Sequence, residues 1–263
     1  MARKKQGRLK ALGAEVGEVF KAIFHVYRAW WVEIILLSLI IFIPIGLLDA
    51  ADSQAIEAIG PGHDFQLAAL IVAAFAVAAT GLLGEVFLAG AIGLSLTHAE
   101  DGRPPSLGFI ARRLNYFRLI AVDILFVLLV AAGFLLFIVP GVAGFVYLSL
   151  TGPVVEVEDR TIWSSFKRSF QLVRGKFWLV FWVLVPIEVV GGLVQKGIEQ
   201  LCEATLGHSF LALGLGEALA EVALSPLFAI AAVLLTRKLI QLKDGRLLPG
   251  PDPRDLQRLR PTS

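Results

Sequence analysis

Acidic side chains standing inside long apolar runs are the residues of this chain whose type and spacing could do chemistry. Glu85 and Glu188 each lie about ten residues, or roughly 15 Å of helix, from the basic-flanked end of their run. Glu221 stands deeper in its run, and Glu217 one turn further out. A carboxylate at the centre of a membrane helix costs on the order of 3 kcal/mol on insertion scales, so such groups face other helices or water rather than lipid. Their neighbours agree. At helical spacing Glu85 shares a column with Gly81, Ala89, Gly93 and Thr97; Glu188 shares a face with Gly192 and Gln195; Glu221 shares one with Glu217 and Ser225. Small and polar columns mark helix contacts or a wet cavity. No Lys or Arg falls at the same depth, so these carboxyls are expected to be protonated or hydrated. The sharper reading is a proton or cation pathway, and the plainer one is hydrogen-bonded carboxyls that fix helix packing. Asp123 and Glu33 lie within a turn or so of the basic face and are expected to pair with Arg or Lys there.

The elements that must position these groups are membrane helices. Of 263 residues, 57% are hydrophobic and 17% charged, with a mean hydropathy of +0.76. Soluble domains are closer to half apolar and a quarter charged. Apolar runs of the length needed to cross a hydrocarbon core recur six times. They cover about 30–48, 67–96, 119–137, 142–155, 177–194 and 213–235. The expected fold is therefore all-α and polytopic, since only a helix satisfies its own backbone in lipid. Pro140-Gly141 predicts a tight turn between spans three and four, and Pro44, Pro186 and Pro226 predict kinks. Of the 24 Lys and Arg, all but Lys196 fall before span one, between spans two and three, between four and five, or after six. The positive-inside rule then places both termini in the cytoplasm.

Three cytoplasmic segments, Val16–Arg28, Leu107–Arg118 and Trp163–Arg174, mix apolar and basic residues at helical spacing. They read as amphipathic helices in the headgroup layer, apolar side down, with Arg28, Arg112, Arg113, Arg118, Lys167, Arg168 and Arg174 turned to anionic lipid. The segments also share a pattern. Phe20, Phe24, Val26, Tyr27, Arg28 have the spacing of Ile110, Leu114, Tyr116, Phe117, Arg118 and of Phe166, Phe170, Leu172, Val173, Arg174. Asp101-Gly102-Arg103, Asp159-Arg160 and Asp244-Gly245-Arg246 close each unit. Three parallel repeats follow, at about 16–103, 107–160 and 163–246, each an interfacial helix and two spans, and they suggest a pseudo-threefold bundle with a central cleft. Residues 247–263, rich in proline, read as a disordered cytoplasmic tail after a membrane domain of 1–246. The basic start precedes an apolar run too long for a signal-peptide core, so that run is expected to be retained.

Cys202 is the one cysteine, and His25, His63, His98 and His208 are scattered, so neither a metal site nor any other cofactor is expected. No phosphate-binding loop, zinc motif, nucleophile elbow or dinucleotide fingerprint occurs, and the chain reads as a non-enzyme with no nucleic-acid partner. Trp30, Trp31, Trp163, Trp178 and Trp182 are expected to form a cytoplasmic aromatic belt.

Pro140-Gly141, Pro153-Val154, Glu156, Ser169, Leu172, Gly175 and Trp178, within IVPGVAGFVYLSLTGPVVEVED and SSFKRSFQLVRGKFW, carry a resemblance. This stretch of about forty residues resembles six-span prokaryotic membrane proteins. Among them are the membrane domain attached to some bacterial glycerophosphodiester phosphodiesterases and stand-alone YciC-type relatives. The resemblance implies a prokaryotic plasma-membrane protein of unassigned molecular role. In the enzymatic members a separate soluble barrel carries the chemistry, and 263 residues leave no room for one. The first functional expectation is thus a protein that organises lipid or an unidentified partner protein at its cytoplasmic face. The alternative is a small transporter or channel using the intramembrane carboxylates.

Overall fold

A computed structural model describes residues 2–58, 84–206 and 210–251. The described chain is helical throughout its elements: α1 Ala2–Ala29, α2 Trp31–Ala58, α3 Glu85–Thr97, α4 Leu107–Arg113, α5 Tyr116–Leu136, α6 Ile138–Leu148, α7 Thr151–Val157, α8 Ile162–Val173, α9 Phe177–Leu206 and α10 Phe210–Asp244. It is an all-α polytopic membrane protein. Four stretches among the described residues are long and apolar enough to cross a bilayer: Tyr116–Leu136, Ile138–Val157, Phe177–Ile198 and Leu219–Asp244. Leu9–Ala29 and Trp31–Ile45 meet at 87° and reach the same length and apolarity only when taken together as a bent pair. Of the expected second span only the 13-residue helix α3 is described, and 67–83 lie outside the described residues.

The last helix stands at the centre. Leu219–Asp244 is 72% buried, against 22% for Phe177–Ile198, and α10 packs on α2, α9, α3 and α1. Its small residues explain the position. Ala229, Ala231 and Ala232 are fully covered, and short side chains let neighbouring backbones approach where no water drives the helices together. Helix α5 shows the opposite solution. Leu119, Val122, Phe126, Val127 and Val130 form its buried face at helical spacing, while Phe117, Ile120, Ile124 and Leu128 face outward and are equally apolar. Helices α3 and α7 approach each other closely. A Cβ on Gly152 would stand 2.1 Å from the Val86 carbonyl oxygen, so only glycine fits there.

Several local expectations are corrected. The turn between spans three and four lies at Phe137, extended at φ −167° and ψ 159°, and Pro140 sits inside the first turn of α6. Proline is tolerated there because the first amides of a helix have no intrahelical acceptor. Gly133 and Gly141 are then pressed together, a Cβ on Gly133 falling 3.0 Å from the Gly141 Cα. Span four is two helices, α6 and α7, separated at Ser149 and Leu150.

The amphipathic segments also behave differently. Val19, Ile23, Val26 and Trp30 along the α1 face, and Phe166, Leu172 and Val173 of α8, are buried within the protein. Their apolar sides cover the ends of the bundle rather than entering lipid. Helix α1 is further tied down by Lys176 to Glu15 at 3.4 Å and Lys238 to Glu18 at 3.9 Å. Trp30 is no belt residue: it is 3% exposed and its Nε1 donates to the Gly102 carbonyl at 2.9 Å. Trp31, Trp163, Trp178 and Trp182 are exposed, as a belt requires. The start of the expected disordered tail is docked. Arg237 donates to the carbonyls of Leu248 and Gly250, and Leu248 packs on the core; residues 252–263 lie outside the described residues.

Candidate functional site

Helix periodicity brings the intramembrane acids of three elements to one place. On α10, Glu221, Leu224, Ser225 and Phe228 follow at intervals of three and four residues, and on α9 so do Glu188, Gly191, Gly192 and Gln195. With Glu85 from the start of α3 they line a cavity of about 230 Å³. A Cβ on Gly191 or Gly192 would meet nothing within 4 Å, so these glycines leave open space beside Glu188 rather than permit tight packing. Glu217 lies one turn further along α10, and its side chain is outside the described residues.

Glu85 is 4% exposed and makes a side-chain hydrogen bond with Glu188. Two carboxyls can bond only if one supplies a proton, because a carboxylate is an acceptor alone. The other oxygens, Glu85 Oε2 and Glu188 Oε1, are buried and have no hydrogen-bond partner among the described residues. Ser225 Oγ donates to Glu221 Oε2. Among the described residues no Lys or Arg lines the cavity.

Sequence reasoning missed why Glu85 sits where it does. Gly84 adopts φ +93°, a left-handed conformation that favours glycine, and α3 begins immediately after it. The helix therefore starts inside the protein. The backbone at this start is met by Asp123 of α5, 4% exposed, whose Oδ2 accepts from the Gly84 N–H at 2.6 Å while its Oδ1 has no hydrogen-bond partner among the described residues. Asp123 does not pair with an interfacial base, contrary to expectation: it is a capping residue borrowed from another helix. Glu33 forms no ion pair among the described residues. No sequence signal marked Asp123 as a cap, since capping patterns are local and this one spans 39 residues.

A second cluster lies at the basic end of the bundle. Glu158, at the C-terminus of α7 with its side chain 4% exposed, accepts from Arg160 Nε at 2.7 Å, from Arg168 Nε at 2.9 Å and Nη2 at 3.0 Å, and from Arg246 Nη2 at 2.7 Å. Arg168 also pairs with Asp244. Burial alone would raise the Glu158 carboxyl, but the bonds from Arg168 and Arg160 outweigh it and hold the group below its ordinary value. Two of the residues expected to face lipid are thus paired with acids of the protein, Arg168 mostly covered and Arg118 at the surface. The Arg168 side chain is 12% exposed, and Arg118 bonds Asp159 at 2.7 Å. Arg28, Arg112, Arg113, Lys167 and Arg174 are exposed. Asp101 and Asp159 take φ of 48° and 46°, and Gly245 takes 65°, so each Asp-containing closing motif makes a left-handed turn. Among the described residues no group of three or more His, Cys, Asp or Glu is arranged to hold a metal ion.

No family model matches the chain, and no solved structure matches it. A curated protein does: over 145 residues the chain is 29% identical to a UPF0259 membrane protein of Pectobacterium carotovorum subsp. carotovorum (strain PC1), an alignment covering 48% of this chain and 58% of that protein. The chain thus matches little more than half the length of this relative, whose name assigns no activity. The relative's name and the apolar helices agree on a membrane protein.

Proposed function

We propose that this chain is a membrane carrier that takes a small cation or a proton at the Glu85–Glu188–Glu221 cavity. The observation that carries the reading is Glu85 Oε2, an oxygen on a 4% exposed side chain at a cavity wall with no protein partner among the described residues. Leaving such a group unsatisfied costs about 1–3 kcal/mol, more when charged, so an oxygen at a cavity wall without a protein donor favours one supplied by a solute or water. A helix that starts within the protein adds support, because broken helices place polar groups at the midplane sites of many carriers. Purified protein in liposomes tests the reading. Wild type should dissipate an imposed proton or cation gradient, and Glu85→Gln and Glu188→Gln should lose that flux while keeping their thermal stability. Flux that is absent in wild type, or equal in the Gln variants, would refute it.

The setting we propose is a prokaryotic plasma membrane with both termini cytoplasmic, supported by the confinement of all Lys and Arg except Lys196 to one set of segments. Three repeated units with a common ancestry to the YciC-type and phosphodiesterase-linked membrane domains remain part of this reading, supported by the shared left-handed closing turns. A second reading keeps a lipid-organising role for the cytoplasmic face. Trp163 at 72% and Phe117 at 80% exposure, flanked by exposed Lys167, Arg112 and Arg113, favour contact with anionic headgroups.

A further inference from the structure

The cavity carries enough chemistry to name its solute, on the strength of the carrier reading. We propose that it binds a small protonated amine, and that the amine enters in exchange for the proton shared between Glu85 and Glu188.

The two buried oxygens without partners, Glu85 Oε2 and Glu188 Oε1, are acceptors in want of donors, and an ammonium head supplies N–H donors and positive charge together. The rest of the wall is apolar: Ile187, Leu224 and the ring of Phe228 suit a short hydrocarbon body and a cation beside an aromatic face. A volume of 230 Å³ holds about seven water-sized groups, enough for an amine of a few carbons. A bare metal ion suits the site less well. Such ions require several fixed ligands, and no carboxylate cage exists among the described residues.

Charge balance supplies the exchange. The Glu85–Glu188 hydrogen bond requires at least one proton on the pair before binding. An ammonium of charge +1 can take that place while the proton leaves to water, so the net charge of the site is the same before and after. The only bond broken is the O–H of the shared proton. Equal net charge matters because a change of charge in a low-dielectric interior is expensive. The groups facing the pair are all acidic: Glu221 from α10 and Asp123 from α5. Helix α7 presents Gly152 to α3, and Glu33 stands in the first turn of α2. Among the described residues no cation lines the cavity, and Gln195 and Ser225 add neutral hydrogen-bonding groups to the lining.

The test is calorimetry on the full-length protein in detergent micelles, titrated with ethylammonium, Na⁺ or K⁺ in buffers of different protonation enthalpy. Ethylammonium should bind with release of about one proton, and its apparent Kd should rise about tenfold for each pH unit lowered while the pair stays protonated. Glu188→Gln should bind at least tenfold more weakly and release no proton, and the wild-type proton count stands as a readout even if that variant fails to fold. Amine binding without proton release overturns the exchange. Na⁺ or K⁺ binding in place of the amine overturns the solute class while leaving the carrier reading intact. Absence of binding by all three cations overturns the amine proposal, while the carrier reading then stands or falls on proton flux in liposomes.

Discussion

Replacing Glu158 by Gln removes the charge that three arginines share at the basic end of the bundle. The carboxylate is 4% exposed and accepts four bonds of 2.7 to 3.0 Å, two of them from Arg168. The arginines differ in what they lose. Arg160 and Arg246, with side chains 38% and 54% exposed, can turn to water, so their pairs count for little. Arg168, 12% exposed, keeps only Asp244. Breaking a buried pair costs about 3–5 kcal/mol, and the remaining partner reduces this to about 2–4 kcal/mol here. At roughly 2–4 °C per kcal/mol for a chain of this size, the melting temperature should fall by about 5–15 °C. Scanning fluorimetry in detergent, with size-exclusion chromatography as a check on folding, reads the shift. The acid limb gives a second signature. Glu158 has a depressed value in the folded protein, so its stabilisation is fully present above the ordinary carboxylate range near 4.5 and is lost as pH falls through the folded value. Wild type should therefore lose stability below about pH 4.5 more steeply than Glu158→Gln, and the two melting curves should converge. A fall smaller than about 2 °C, or parallel acid limbs, would refute a structural role for the cluster.

Asp123→Leu should lower the melting temperature by several degrees, since losing an N-cap costs about 1–2 kcal/mol, whereas Asp123→Asn keeps an acceptor for the Gly84 N–H and should stay near wild type. Equal losses in both variants would mean that charge, and not capping, holds the start of α3. Gly152→Ala should be strongly destabilising, by about 1–3 kcal/mol or more, because its Cβ would strike the Val86 carbonyl. Gly144→Ala, on the same span with nothing within 4 Å of its Cβ, is the control and should be neutral or slightly stabilising in the same assay.

How far the sequence reached depends on the range of the interaction. Glu188 with Gly192 and Gln195, and Glu221 with Ser225, were legible as faces because each lies on one helix with a fixed period. Lining one cavity with Glu85 required knowing which helices are neighbours. Lipid obscures that, since α5 is as apolar on its outward side, at Ile120 and Ile124, as on its buried side. The same limit hid Asp123. Its distance from the basic end suggested an ion pair, but its partner is a helix terminus created by the left-handed Gly84. Arg168 and Arg118 looked like lipid-facing bases until the closing motifs delivered Glu158, Asp244 and Asp159 beside them.

Composition and charge by themselves determined that this chain is helical, membrane-embedded and one-sided in its bases. Those properties follow from the cost of moving each residue from water to hydrocarbon, which is paid locally along the chain. Tertiary structure alone decided that α10 takes the centre, that α3 begins inside the protein, and that Glu85 meets Glu188. These depend on shape. Where Gly152 admits a backbone and where two carboxyls share a proton is set by contacts between segments far apart in sequence, and no local property encodes those contacts.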